Sequence, residues 1–376
     1  MKSLLLSGFL LLCCQTVFAT QQVDLIMQNM TDEQKAAQLI LVYYTTPEFI
    51  LEHEFGGVLI MQNMLRDADK LKFDLKRVQA LSKTGVFVSI DQEGGRVNRM
   101  KLLPGWRKTP SAKTLSTWPN KKIEDHAARM ASALHDLGIN LNLAPVLDPG
   151  VDYMGDEAFM ARKQRSFGTG IEQIVPKAGA YISGFQSYGI GSVSKHFPGY
   201  DVQTNSDHEV AISQASLQQV KKNILPFQSL ATDVLGVMIS SVQYEKFADA
   251  PAVMSRKLVN LARQSHPYAI LMTDDLWGTA LRSWIQKKGK TTNNAQVLGL
   301  TRSALDAGND MLMMTYPQKA VLMKEAISQW MKQDDNFRKR VNAAVYHVLS
   351  NKEKIGLLPD KNDLVQTSDI KNQKNR

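Results

Sequence analysis

Val86-Phe-Val-Ser-Ile-Asp-Gln-Glu-Gly-Gly-Arg-Val97 is the stretch that carries the reading of the fold. Val86 to Ile90 is apolar but for one serine, and it shows no strict polar–apolar alternation. A short continuous run of this kind, closed by turn residues, reads as a strand buried on both faces, as in a parallel sheet covered by helices. The run ends in Asp91, and Gly94-Gly95 then supplies the freedom for a tight turn.

Seven more runs share the pattern: Leu39 to Tyr43, Gly57 to Met61, Ile139 to Ala144, Ile190 to Ser194, Leu235 to Ile239, Ala269 to Met272 and Met311 to Met314. Amphipathic stretches separate them. Ile123 to Leu137 sets Ala127, Met130, Ala131, Leu134 and Leu137 at helical spacing and stops at Gly138. Thr31-Asp-Glu-Gln34 opens another helix with capping-box spacing. Strand and helix alternating eight times predict an α/β fold, a single-domain (β/α)8 barrel of the TIM type. The connection from Tyr44 to Phe55 is short for a full crossover, so the first repeat is expected to be irregular.

The chain has 376 residues, of which 44% are hydrophobic, an ordinary globular composition. Residues 1–19 read as a signal peptide, with Lys2 before an apolar stretch and Val17-Phe18-Ala19 as the cleavage site. The expected location is therefore the periplasm or the exterior, with the barrel over 20–360 and a disordered polar tail over 361–376. A lipid anchor at Cys13 or Cys14 is disfavoured, because Leu12 or Cys13 would stand where a small residue is expected. Both cysteines fall in the signal, which leaves the mature chain no disulfide, thiol nucleophile or thiolate metal site. No later apolar run is long enough to span a bilayer. The net charge of +9 is spread along the chain without a basic stripe bearing aromatics, which argues against nucleic acid as a partner.

Barrel chemistry sits at the carboxyl ends of the strands. The residues there are Asp91, Asp148, Lys195-His196, Ser241, Asp274 and Thr315. Four segments among these loops form a set: Asp91-Gln-Glu-Gly-Gly-Arg-Val97, Arg165-Ser-Phe-Gly168, Lys195-His-Phe-Pro-Gly199 and Thr273-Asp-Asp-Leu276. In this order, and over about Met30 to Leu357, the chain resembles glycoside hydrolase family 3, in its single-domain β-N-acetylhexosaminidase branch.

The resemblance implies an exo-acting, retaining glycosidase that removes β-linked N-acetylglucosamine from cell-wall or chitin-type oligosaccharides without a cofactor or metal. It implies Asp274 as the nucleophile and Asp91, Arg99, Arg165, Lys195 and His196 as contacts to sugar hydroxyls. The residue types suit that work: a retaining enzyme needs one carboxylate to attack the anomeric carbon and one acid to protonate the leaving oxygen. In this branch the acid is a histidine in an Asp-Ser-His triplet on the loop after strand five. His208 stands at the matching distance from Lys195, but its triplet reads Ser206-Asp207-His208. The resemblance makes His208 the acid/base, with Asp207 orienting it if the loop turns, and otherwise Asp201 or Ser206. The His-Gly-Asp expected after Gly199 is replaced by Tyr200-Asp201-Val202, and strand six ends in Ser240-Ser241 where the family often has a histidine.

Each residue also has a plainer reading. Asp274 could cap a helix, with Asp275 the better candidate; Asp91 and Arg99 could form a structural pair; Lys195-His196 could be a satisfied core pair. Asp148 suits loop shaping as well as ligand binding, and Glu93 and Arg96 read as structural. Three other readings fit the pocket: within the same class, an exo-glycosidase of another sugar preference, and from different classes a secreted sugar-binding protein with impaired catalysis and a Schiff-base lyase using Lys195.

Overall fold

The computed structural model describes residues 22–359. The segment expected to be a signal peptide, both cysteines and the polar tail expected over 361–376 lie outside the described residues. The eight anticipated runs form eight strands: β1 (Ile40–Tyr43), β2 (Gly57–Ile60), β3 (Phe87–Ile90), β4 (Leu141–Asn142), β5 (Gly191–Phe197), β6 (Gly236–Ile239), β7 (Ile270–Thr273) and β8 (Leu312–Met314). They pair in parallel in chain order, with β8 beside β1. Between β7 and β8 the ring is completed by the bridge Met272–Met311 and by Thr273 N–H donating to the Met311 carbonyl at 3.0 Å. The chain is thus a nearly closed TIM-type barrel with helices around it.

β2, β3, β6 and β7 are buried at every position, which is why their sequences show no alternation. The helix expected over 123–137 runs from Asn120 to His135, and the chain leaves it through Gly138 at φ 89°. The capping box is present: Gln34 N–H donates to Thr31 Oγ1 at 3.2 Å, and Thr31 N–H donates to Gln34 Oε1 at 3.0 Å. The first crossover is a helix of seven residues, Pro47–His53, against sixteen in Asn120–His135. It closes tightly, since a Cβ at Gly56 would stand 2.0 Å from the Gln38 carbonyl oxygen.

The amino-terminal ends of the strands form a floor tied down by the last helix, Asp335–Lys354. Arg338 makes a two-pronged pair with Asp32 at 2.6 and 3.0 Å. Buried Asp310 accepts from Leu271 N–H at 3.0 Å and pairs with Arg263, Arg340 and His347. Lys352 is fully buried and donates to Gln38 Oε1 and the Gly85 carbonyl, each at 2.7 Å. Burial lowers its pKa from 10.5 to about 7. The native state therefore binds fewer protons than the unfolded chain between those values, so stability should rise with pH across that window. We expect a higher denaturant midpoint at pH 9 than at pH 7, with most of the difference lost in Lys352→Met. Burial shifts Lys354 the same way and leaves a remainder. An equal midpoint at both pH values in the wild type would refute the linkage.

Candidate active site

The carboxyl ends of the strands converge on a cluster of charges. Asp91 and Glu93 follow β3, Arg99 opens the short 3-10 helix Arg99–Leu102, and Arg165 lies between β4 and β5. Lys195 and His196 lie on β5 itself, where its register against β6 shifts between Lys195 and Phe197. Neighbours on a regular strand face opposite ways; at this irregularity both side chains take partners at the mouth. The Lys195–His196 peptide is cis.

Lys195 Nζ lies 2.5 Å from Asp91 Oδ1 and 2.8 Å from Glu93 Oε1. Glu93 also accepts Arg165 Nε at 2.8 Å and Nη2 at 2.9 Å, a bidentate fork. Burial alone would raise the Glu93 carboxyl, but Arg165 and Lys195 outweigh it and hold Glu93 well below the usual carboxylate range. Burial likewise opposes the charge on Lys195, yet Asp91 and Glu93 raise its pKa overall. A Schiff-base lysine must be neutral to attack a carbonyl, so this environment argues against the lyase reading. Arg99 Nη2 stands 3.8 Å from Asp91 Oδ2, and its buried Nε has no partner among the described residues. Asp91 and Arg99 therefore keep hydrogen-bonding capacity for a ligand, whereas Glu93 is spent on holding Lys195 and Arg165.

His196 Nδ1 lies 2.6 Å from Asp148 Oδ2, while Asp148 Oδ1 accepts the backbone N–H groups of His196 and Tyr200, both at 2.8 Å. Asp148 is thus a fully buried loop-shaping residue that also orients the imidazole.

Asp274 follows β7 and, among the described residues, accepts one hydrogen bond, from Asp275 N–H at 2.8 Å. Burial and then the Asp207 carboxylate raise its pKa, while His196 and Lys195 pull the other way. Asp275 is differently engaged: it accepts from Thr315 Oγ1 at 2.7 Å and from Trp277 N–H at 3.2 Å. Neither acid caps the next helix, which corrects the capping role anticipated for Asp275. That helix, Thr279–Lys287, starts from Gly278, and its first donors go elsewhere. Thr279 N–H donates to the Asp207 carbonyl at 3.1 Å, and Ala280 N–H to the Ser206 carbonyl at 3.2 Å. Helix N-termini must find such acceptors, and here they clip the loop after β5 to the loop after β7.

Within the clipped loop the dyad anticipated from the sequence is not assembled. His208 is exposed, and its imidazole has no hydrogen-bond or ion-pair partner among the described residues. Asp201 lies elsewhere, buried against Asn223 at 3.1 Å, where it lines a cavity of about 390 Å³ beside the helices Ile171–Gln186 and Leu217–Ser229. Two tyrosines were given no role by the sequence reading. Tyr200, where the family has histidine, donates to the Thr204 carbonyl at 2.8 Å and accepts from Ser206 N–H at 2.7 Å, shaping the loop. Tyr43, at the end of β1, feels Asp275, Arg99 and Asp91 at the mouth; its only sequence signal was that terminal position.

A barrel with this order of motif loops has a counterpart among known proteins. Residues 31–351 match the model described as the glycosyl hydrolase family 3 N terminal domain. The chain belongs to glycosyl hydrolase family 3. Its family-3 relatives include the beta-hexosaminidase LpqI of Mycobacterium tuberculosis, 30% identical over 267 residues that make up 65% of this chain and 66% of that one. The beta-hexosaminidase of Nitrosomonas eutropha is 29% identical over 274 residues, 69% of this chain and 73% of the relative. The solved structure of M. tuberculosis LpqI superposes with a TM-score of 0.74 at 26% identity, over 87% of this chain and 95% of that one. A beta-N-acetylhexosaminidase from Beutenbergia cavernae shares the fold with a TM-score of 0.73 at 24% identity, over 86% and 99% of the two chains.

Proposed function

We propose that this family-3 glycoside hydrolase is an exo-acting, retaining β-N-acetylhexosaminidase that releases N-acetylglucosamine from cell-wall or chitin-type oligosaccharides. The observation that carries the reading is the placement of Asp274. A carboxylate with little hydrogen bonding of its own faces a mouth that holds Asp91, Arg99, Lys195 and His196. In the first step an Asp274 oxygen attacks the anomeric carbon, the glycosidic C–O bond breaks, and an acid on the rim protonates the departing oxygen. Water then cleaves the glycosyl ester and returns its proton to that group. Asp91 and Arg99 would grip hydroxyls through charge-assisted hydrogen bonds.

Aryl β-glycosides test the reading directly. The N-acetylglucosaminide should exceed the glucoside and xyloside in kcat/KM by roughly 10²-fold or more, because a pocket built around a polar substituent is left unpaired without it. Comparable turnover of all three would point to another sugar preference. The exposed, unpartnered His208 favours a second reading, a sugar-binding protein with impaired catalysis. Binding of N-acetylglucosamine without turnover of any glycoside would establish that alternative.

The amino-terminal signal supports export to the periplasm or beyond. Protein made in a Gram-negative host should begin near Thr20 on N-terminal sequencing, and intact Met1 in the cytoplasmic fraction would sink the idea.

A further inference from the structure

Asp91 and Arg99, the pair read as gripping sugar hydroxyls, stand too far apart to hold each other. Lys195 pins Asp91 through Oδ1, while Oδ2 lies 3.8 Å from Arg99 Nη2, beyond hydrogen-bond reach. Arg99 Nε is buried without a partner among the described residues. A guanidinium this near a carboxylate commonly closes into a two-pronged pair, so something has to keep this one open. The Arg99 side chain is only 27% exposed and cannot sweep freely, so its head goes where its backbone sends it. We propose that Gln92 is a positioning residue for the sugar site: its buried side chain fixes the backbone at Arg99 and so holds the guanidinium off Asp91, leaving both groups free for substrate. The inference rests on the glycosidase reading and adds the residue that arranges its binding pair.

Gln92 Oε1 accepts Arg99 N–H at 2.9 Å and Met100 N–H at 3.2 Å. These are the first two N–H groups of the helix Arg99–Leu102, and opening N–H groups find no acceptor within their own helix. Asn98 Oδ1 shares the Met100 N–H at 3.1 Å. Among the described residues, Arg99 N–H has Gln92 alone. The amide can turn only one way here. Its oxygen faces two donors, and its Nε2 is left to Met130 Sδ at 3.6 Å.

Gln92 is itself anchored from the neighbouring strand. Asn142, at the end of β4, pairs with its backbone twice: Gln92 N–H donates to Asn142 Oδ1 at 3.0 Å, and Asn142 Nδ2 donates to the Gln92 carbonyl at 3.1 Å. Tyr181 Oη, on the helix Ile171–Gln186, donates to the same carbonyl. Gln92, Asn142 and Tyr181 are all buried, so water cannot replace a lost partner. Gln92 directly follows Asp91 in the chain. One rigid residue therefore ties the carboxylate at the end of β3 to the arginine seven positions further on, and the spacing of the pair follows from the frame of the barrel. With both groups held open, a hydroxyl can accept from Arg99 and donate to Asp91 without first breaking a bond between them.

The test is a double-mutant cycle read by calorimetric binding of N-acetylglucosamine to the mature chain. Gln92→Met keeps the length of the side chain and removes the acceptor. It should weaken binding roughly 10–100-fold, the worth of a misplaced hydrogen bond to a charged group. In the Arg99→Ala background the same change should add less than about 2-fold, because the group through which Gln92 acts is gone. Gln92→Glu, which keeps an oxygen facing the two N–H groups, should restore most of the affinity. Tyr181→Phe removes only a supporting hydroxyl and should weaken binding about 2–10-fold, again only where Arg99 is present; it carries the cycle if Gln92→Met does not fold. A 2-fluoro dinitrophenyl glycoside at saturating concentration should still label Asp274 in each folded variant. Equal losses with and without Arg99 would overturn the proposal, since Gln92 would then support the barrel and not the pair. Unchanged affinity in Gln92→Met would overturn it too. If Arg99→Ala alone binds like the wild type, the reading of Arg99 as a sugar contact fails and takes this inference with it. A wild type that neither binds the sugar nor hydrolyses a glycoside removes the glycosidase reading itself.

Discussion

Asp274→Asn should lower kcat by on the order of 10⁴-fold or more and leave the affinity for N-acetylglucosamine nearly unchanged. Asparagine has almost the shape of aspartate and can keep the Asp275 N–H bond through its carbonyl oxygen, but its amide cannot form the glycosyl ester. The loss therefore falls on the chemical step and not on ground-state binding. The local geometry separates Asp274 from its neighbours. Asp275 is turned toward Thr315 and Trp277, and Asp91 is bound by Lys195 at 2.5 Å. Among the described residues Asp274 accepts a single backbone hydrogen bond, which leaves lone pairs for the anomeric carbon. Mass spectrometry of wild-type enzyme trapped with a 2-fluoro glycoside should find the label on Asp274. A label on Asp275 or Asp91 would overturn the assignment.

Glu93→Gln is expected to cost about 3–5 kcal/mol of folding stability, the usual penalty for removing one partner of a buried ion pair. Glutamine keeps the volume of glutamate but not its charge, so Arg165 and Lys195 lose the anion between them. The Lys195 and Glu93 side chains are only 3% and 4% exposed, and water cannot make up the difference. Denaturant unfolding of wild type and variant at neutral pH measures the loss. A change below about 1 kcal/mol, the range of a surface pair, would show that the network contributes little. The prediction also separates Glu93 from Asp91. Asp91 is near a partly unsatisfied Arg99 and is expected to affect substrate binding more than stability.

The sequence by itself determined the strands, their order and the positions of the chemistry. A parallel strand under helices is buried on both faces, so each run of apolar residues was legible without its partners, and the acid or base that follows it had to lie at the mouth. Asp91, Lys195, His196 and Asp274 could be placed from that logic, and the spacing of four motifs pointed to the family. Only the tertiary structure decided how those residues divide the work. Glu93 read as structural without a partner, and the fold supplies two, Lys195 and Arg165, which it holds together at the mouth. Lys195 reaches Asp91 across 104 positions, a contact that exists only because β3 and β5 both flank β4 in the barrel. The rim loop was the least legible part. Spacing chose His208, but which side chain of a turn faces the nucleophile depends on how the turn is rotated. Here Tyr200 and two N–H groups of a helix some seventy residues further along fix the backbone of the turn, and they leave both Asp207 and His208 exposed.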